Sequence, residues 1–122
     1  CDLIDLRTVR PIDWETIFNS VKKTGRLLAL DPAHPVCSVA SEIIARVSID
    51  NFSDLKTAPR RITWPDFPCP TSRALTEHYY PTTAEIAQAI TEMVGKTVDV
   101  SPLKPDSSVP TDVPGAWFKG PF

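Results

Sequence analysis

Apolar residues recur at helical spacing in three segments of the chain. In the first segment they lie at positions i, i+3, i+4 and i+7, on one face of a helix: Trp14, Ile17, Phe18 and Val21. Asp13 precedes this segment and can accept hydrogen bonds from the free amides of a first helical turn. Gly25 follows it, and glycine commonly ends a helix in the left-handed conformation. The pattern predicts a first helix between Asp13 and Gly25.

Two further segments show the same periodicity. One begins near Ser38, a residue type that caps helices, and its apolar stripe comprises Val39, Ala40, Ile43, Ile44 and Val47. The other follows the capping-box pattern Thr82-x-x-Glu85 and ends at Gly95, and its apolar residues are Ile86, Ile90, Met93 and Val94. The sequence therefore predicts three amphipathic helices.

Three runs rich in apolar residues predict strands at residues 1–6, 26–30 and 60–64. The second run is almost continuously apolar, which is typical of a central parallel strand covered on both faces. The elements then follow in the order β-α-β-α-β-loop-α-tail, and this alternation favours a parallel sheet with right-handed crossovers and helices on both faces. We predict an α/β fold with three α/β/α layers around a small, mainly parallel sheet.

Prolines divide the rest of the chain. The segment 65–81 contains four of the 13 prolines, so we expect an irregular and stiff loop there. Residues 96–122 contain five more prolines and no helical period. With 122 residues in all, the chain is expected to hold one α/β domain at residues 1–95, followed by an extended proline-rich tail at residues 96–122.

Composition excludes several classes of function. The net charge of −2 argues against a nucleic-acid binder, which would need a basic surface. No apolar run is long enough to span a membrane, and no secretory signal is recognisable. Three widely spaced cysteines without a regular framework indicate reduced thiols in a cytosol-like compartment. The chain begins at Cys1 without an initiator methionine, and we interpret it as a fragment or processed piece of a longer polypeptide.

The loop that contains His34, Cys37 and Ser38 is the candidate site. It follows the carboxyl end of a predicted strand and leads into a helix, a position at which anions and other ligands bind in open α/β sheets. A phosphatase-type thiol at Cys37 would need an arginine six residues later, where this chain has Ile43. His34 and Cys37 could supply only two metal ligands. A buried thiol beside a loop histidine is the alternative interpretation. The four glycines form neither of the common nucleotide-binding loops.

Several ordered motifs resemble one known family. Residues 4–13, with the sequence IDLRTVRPID, are similar to the I-D-L-R-T-[LIV]-x-P-[LIV]-D stretch of the C-terminal domain of transketolase-like beta subunits. These subunits belong to the first component of thiamine-diphosphate-dependent 2-oxo-acid dehydrogenases of the pyruvate, branched-chain and acetoin types. Further similar motifs are VKKTGRLL at 21–28, SEI at 41–43, APRRIT at 58–63, and the proline-containing stretches 65–72 and 80–82. Residues 31–40 depart from the glycine-rich turn that the family often has.

The resemblance implies a fold and a place in a larger enzyme. This domain would lack the family's first strand and helix, and the preceding cofactor-binding domain would lie outside it. The intact beta subunit would pair with an alpha subunit and a second beta subunit. The enzyme would use thiamine diphosphate and Mg²⁺ to decarboxylate pyruvate or a related 2-oxo acid and would transfer the acyl group to lipoyl-lysine. The chain alone is expected to bind no cofactor and to be inactive.

The resemblance also implies contacts for the assembly. In some family members this domain docks the dihydrolipoyl acyltransferase core, and Trp117, Phe118 and Phe122 in the aromatic tail are candidate partner contacts. His34, Cys37 and Ser38 would form an interface or anion-binding loop. We expect the bacterial cytoplasm rather than the mitochondrial matrix. The alternative hypotheses are a free-standing protein-interaction module and a small-anion-binding module, both without catalysis.

Overall fold

A computed structural model of the chain describes residues 1–76, 78–106 and 118–120. The order of elements is α1 (Trp14–Thr24), β1 (Leu28–Asp31), α2 (Val39–Asp50), β2 (Arg60–Thr63), α3 (Arg73–Thr76) and α4 (Thr83–Met93). Two single 3₁₀ turns, at Phe52–Asp54 and Ser101–Leu103, complete the regular structure of the described residues. The chain divides into two compact units, residues 1–63 and residues 64–122.

Helix α1 begins and ends where the sequence predicts. The Asp13 carboxylate accepts hydrogen bonds from the backbone N–H of Thr16 at 3.1 Å and from its hydroxyl at 2.7 Å. These two bonds, the hydroxyl first, lower the pKa of Asp13. At the other end Gly25 is left-handed, with φ of 71°, and its N–H donates to the Val21 carbonyl. Both caps satisfy backbone groups that the helix itself leaves unpaired.

The two strands of the first unit pair in parallel. Leu28 lies opposite Arg60, and Asp31 lies opposite Thr63. Helix α2 forms the crossover between the strands and contacts both of them. A parallel pair needs such a crossover because a tight turn can join only antiparallel neighbours. The small parallel α/β arrangement predicted from the sequence is therefore confirmed.

The predicted first strand is wrong. The structure assigns no strand to residues 1–6, and the sheet formed by the described residues has two strands rather than three. The Asp2 carboxylate instead accepts hydrogen bonds from Lys23 and Ser20 of α1, which lower its pKa. An apolar run supplies the side chains of a strand, but a strand also requires a neighbour whose N–H and C=O groups pair with its own. Leu3 correspondingly lies 93% exposed.

Helices α1 and α2 share the hydrophobic core of the first unit. Its buried members are Ile17 and Val21 from α1 and Ile43 and Val47 from α2. All four lie on the apolar stripes that the periodicity predicts. Partly buried apolar side chains surround them, including Leu6 and Leu27.

The second unit contains a cluster of aromatic side chains. The ring of Tyr79 is buried and lies 5.9 Å from Trp64, 5.5 Å from Phe67 and 5.1 Å from Tyr80, measured between ring centroids. The Tyr79 hydroxyl donates to the Phe67 carbonyl at 3.3 Å. Burial, and then the nearby Cys69 thiol, raise the pKa of Tyr79. The predicted irregular loop at 65–81 contains one unpredicted helical turn, α3.

Helix α4 carries the predicted capping box. The Thr82 hydroxyl accepts from the Glu85 N–H at 3.2 Å, while the Glu85 carboxylate accepts from the Thr82 N–H. Gly95 follows the helix in the left-handed conformation. Of the predicted tail, residues 96–106 and 118–120 are described, and the turn Ser101–Leu103 contacts α4. The division into a domain at 1–95 and a tail at 96–122 stays a prediction. No helix among the described residues has the length and apolar character needed to cross a bilayer.

Candidate functional site

The candidate loop joins the carboxyl end of β1 to the first turn of α2. At its far end Ser38 is buried, and its hydroxyl accepts from the Ser41 N–H at 3.1 Å. At its near end the Asp31 carboxylate accepts from the Ala40 N–H at 3.0 Å. A strand residue and a loop residue therefore both cap the same helix.

Arg61 of β2 forms a further attachment to this loop. Its guanidinium Nη1 donates to the Pro35 carbonyl at 3.0 Å and also contacts the Ser41 hydroxyl. The Ser41 hydroxyl in turn donates to the same Pro35 carbonyl at 2.7 Å and lies 2.9 Å from the Ser38 hydroxyl. This connected set of polar groups ties β2 and α2 to the loop, and the separate bond to Asp31 ties β1 to α2.

His34 and Cys37 lie on the exposed side of the loop. Cys37 adopts a positive φ of 58°, a conformation that is uncommon for residues with a side chain. Val36, between them, is 68% exposed. Across residues 1–76, 78–106 and 118–120, no three histidine, cysteine or acidic side chains lie together in a way that could hold a metal ion.

The electrostatics of the loop disfavour anion binding at the first turn of α2. The amides of Ala40 and Ser41 already have side-chain partners. The partner of Ala40 is itself a carboxylate, so an incoming anion would meet the negative charge of Asp31. The structure brings Ser38 into the capping network and leaves His34 and Cys37 at the surface. Their interface or anion role stays a prediction.

The tail residues named from the sequence fall largely outside the described residues. Trp117 and Phe122 lie outside them, and Phe118 is 49% exposed. Their assignment as partner contacts therefore stays a prediction as well.

Sequence reasoning missed two residues of the loop network. Asp31 directly follows the predicted strand 26–30, and Arg61 lies within the predicted strand 60–64, and neither position by itself indicates these contacts. A signal was available for Asp31, because an acidic residue at a strand's carboxyl end can reach the amides of the following helix. No comparable signal existed for Arg61, whose partners are a carbonyl and a hydroxyl more than 19 positions away.

Comparison with known proteins relates this geometry to a family. Residues 1–86 match the family described as "Transketolase, C-terminal domain". The chain belongs to this family. The predicted resemblance is confirmed by this match and by relatives that carry the expected names.

Three relatives illustrate the similarity of this transketolase C-terminal domain. Over 94 residues it is 47% identical to "Pyruvate dehydrogenase E1 component subunit beta" of Mycoplasma pneumoniae, covering 76% of this chain and 28% of the relative. Over 95 residues it is 38% identical to "Acetoin:2,6-dichlorophenolindophenol oxidoreductase subunit beta" of Bacillus subtilis, covering 78% of this chain and 28% of the relative. Over 94 residues it is 35% identical to the mitochondrial pyruvate dehydrogenase E1 beta subunit of Saccharomyces cerevisiae, covering 76% and 26%. The chain spans about a quarter of the length of these relatives.

Proposed function

We propose that this chain is the C-terminal assembly domain of the beta subunit of a 2-oxo-acid dehydrogenase first component. The observation that carries the proposal is the 47% identity over 94 residues with the beta subunit from Mycoplasma pneumoniae. The parallel β1-α2-β2 unit and its shared core with α1 supply a rigid body suited to holding contact surfaces in place.

The proposed enzyme would pair this beta subunit with an alpha subunit and a second beta subunit, and the dihydrolipoyl acyltransferase core is a further proposed partner. Thiamine diphosphate and Mg²⁺ would supply the chemistry by which the intact enzyme decarboxylates pyruvate or a related 2-oxo acid. The described residues contain no cluster of histidine, cysteine or acidic side chains that could hold a metal ion. The proposed contribution of this chain is to association.

Exposed apolar side chains support a contact role. Ile49 and Phe52, at the carboxyl end of α2 and in the turn after it, are each 75% exposed. Leu30 of β1 and Val36 of the loop are also at least half exposed. Singly exposed apolar residues are normal on a protein surface, whereas a contiguous apolar patch marks an interaction site. We propose these four side chains as the positions at which a partner would bury apolar area.

We also propose that the enzyme to which this chain belongs acts in the bacterial cytoplasm. Relatives from bacteria are among the most similar proteins, and mitochondrial relatives also match the chain. Nothing in the part of the chain that the structure describes favours the alternative of a free-standing protein-interaction module. The partnered amides of α2 weigh against the anion-binding alternative.

A domain graft tests the proposal. The matching 94 residues of the Mycoplasma pneumoniae beta subunit would be replaced by those of this chain, and the hybrid coexpressed with that organism's alpha subunit. We expect the hybrid to copurify with the alpha subunit and to restore thiamine-diphosphate-dependent decarboxylation of pyruvate. The host beta subunit without this domain should do neither.

Two controls make the result decisive. Val47→Asp in the grafted domain places a charge in the fully buried core, so it should abolish assembly by unfolding the domain. In a second format, the 122-residue chain is added in trans to the host beta subunit that lacks the domain. If a folded graft and the added chain both fail to bind the alpha subunit, the proposed function is wrong.

A further inference from the structure

We draw no further inference here: the strongest candidate, the pair of exposed apolar side chains Ile49 and Phe52 at the carboxyl end of α2 and in the turn after it, carries none, because nothing in the described part of the structure shows what covers it.

Discussion

The two compact units of this chain build their interiors from different chemistry. Residues 1–63 bury aliphatic side chains at helical spacing on α1 and α2. Residues 64–122 bury Tyr79 among the rings of Trp64, Phe67 and Tyr80, most of which lie in a proline-rich loop without helical period. The first interior depends on periodic placement along helices. The second combines a few large rings, which each cover much area, with apolar residues buried on α4: Ala84, Ala89 and Met93.

This contrast explains what each interior tolerates. An aliphatic core between helices is sensitive to the loss of single methylene groups. Its side chains are so closely packed that none of them can move to fill the space that is left. In the aromatic cluster the Tyr79 hydroxyl donates to the Phe67 carbonyl, so the cluster should respond to changes in the ionisation of that hydroxyl. Three experiments test this difference between the two interiors.

The largest effect is expected from truncating the aliphatic core. Ile43→Ala should lower the free energy of unfolding of the first unit by about 2–5 kcal/mol, because it leaves a cavity between α1 and α2. Ile49→Ala is the same substitution on the same helix at a 75% exposed position, and should change stability by about 0.5 kcal/mol or less. Urea titration followed by circular dichroism measures both. Equal losses in the two variants would contradict the assignment of the core.

A smaller effect is expected at the glycines that end one helix in each unit. Gly25 and Gly95 both have positive φ, so alanine at either position should cost about 1–2 kcal/mol of stability through backbone strain. At Gly25 the added Cβ would also lie 2.7 Å from side-chain carbons of Lys56, whereas nothing lies within 4 Å at Gly95. Thermal unfolding should therefore show the greater loss for Gly25→Ala.

A double mutant separates the two causes at Gly25. In a Lys56→Ala background the contact is removed, and the cost of Gly25→Ala should fall to that of Gly95→Ala. An unchanged cost would mean that the Lys56 side chain moves aside freely and that strain alone acts at both positions.

The smallest effect concerns pH and the aromatic cluster. Because the pKa of Tyr79 is raised above 10.0 in the folded chain, the unfolded chain loses the phenolic proton first as pH increases. The stability contributed by this group is therefore complete below about pH 10 and declines as pH rises through the folded pKa. The sequence contains two tyrosines, so Tyr80→Phe leaves Tyr79 as the single phenol to follow by ultraviolet absorbance. Its midpoint should lie above 10.0.

A cysteine variant tests the cause of that shift. Burial is the larger cause and the Cys69 thiol the smaller, so Cys69→Ser should retain most of the shift. A midpoint at the ordinary value in Tyr80→Phe would show that the Tyr79 ring is not buried in solution.

The elements that the sequence predicted best are those whose signals are local. The caps at Asp13, Ser38 and Thr82 and the apolar stripes of α1 and α2 are confirmed, because capping and periodicity act within a few residues. The predicted stripe of α4 is wrong in part: Met93 is buried, but Ile90 and Val94 are exposed, and the buried face also carries Ala84 and Ala89. The strand at residues 1–6 failed because pairing depends on a distant neighbour. The Arg61 contacts were missed for the same reason: nothing in the sequence near Arg61 refers to Pro35 or Ser41. The aromatic cluster around Tyr79 was not predicted, since its members follow no period.

The parallel register of β1 and β2 has a consequence for how the chain acquires its structure. Leu28 pairs with Arg60, 32 positions later, so β1 finds its partner only after α2 has been placed between them. Such non-local pairing is slow compared with helix formation, because the two ends of a long segment must meet before any hydrogen bond between the strands can form. During synthesis the N–H and C=O groups of β1 would have no strand partner until β2 has left the ribosome. The two capped helices, which form from local contacts, would be the first ordered parts of the nascent domain.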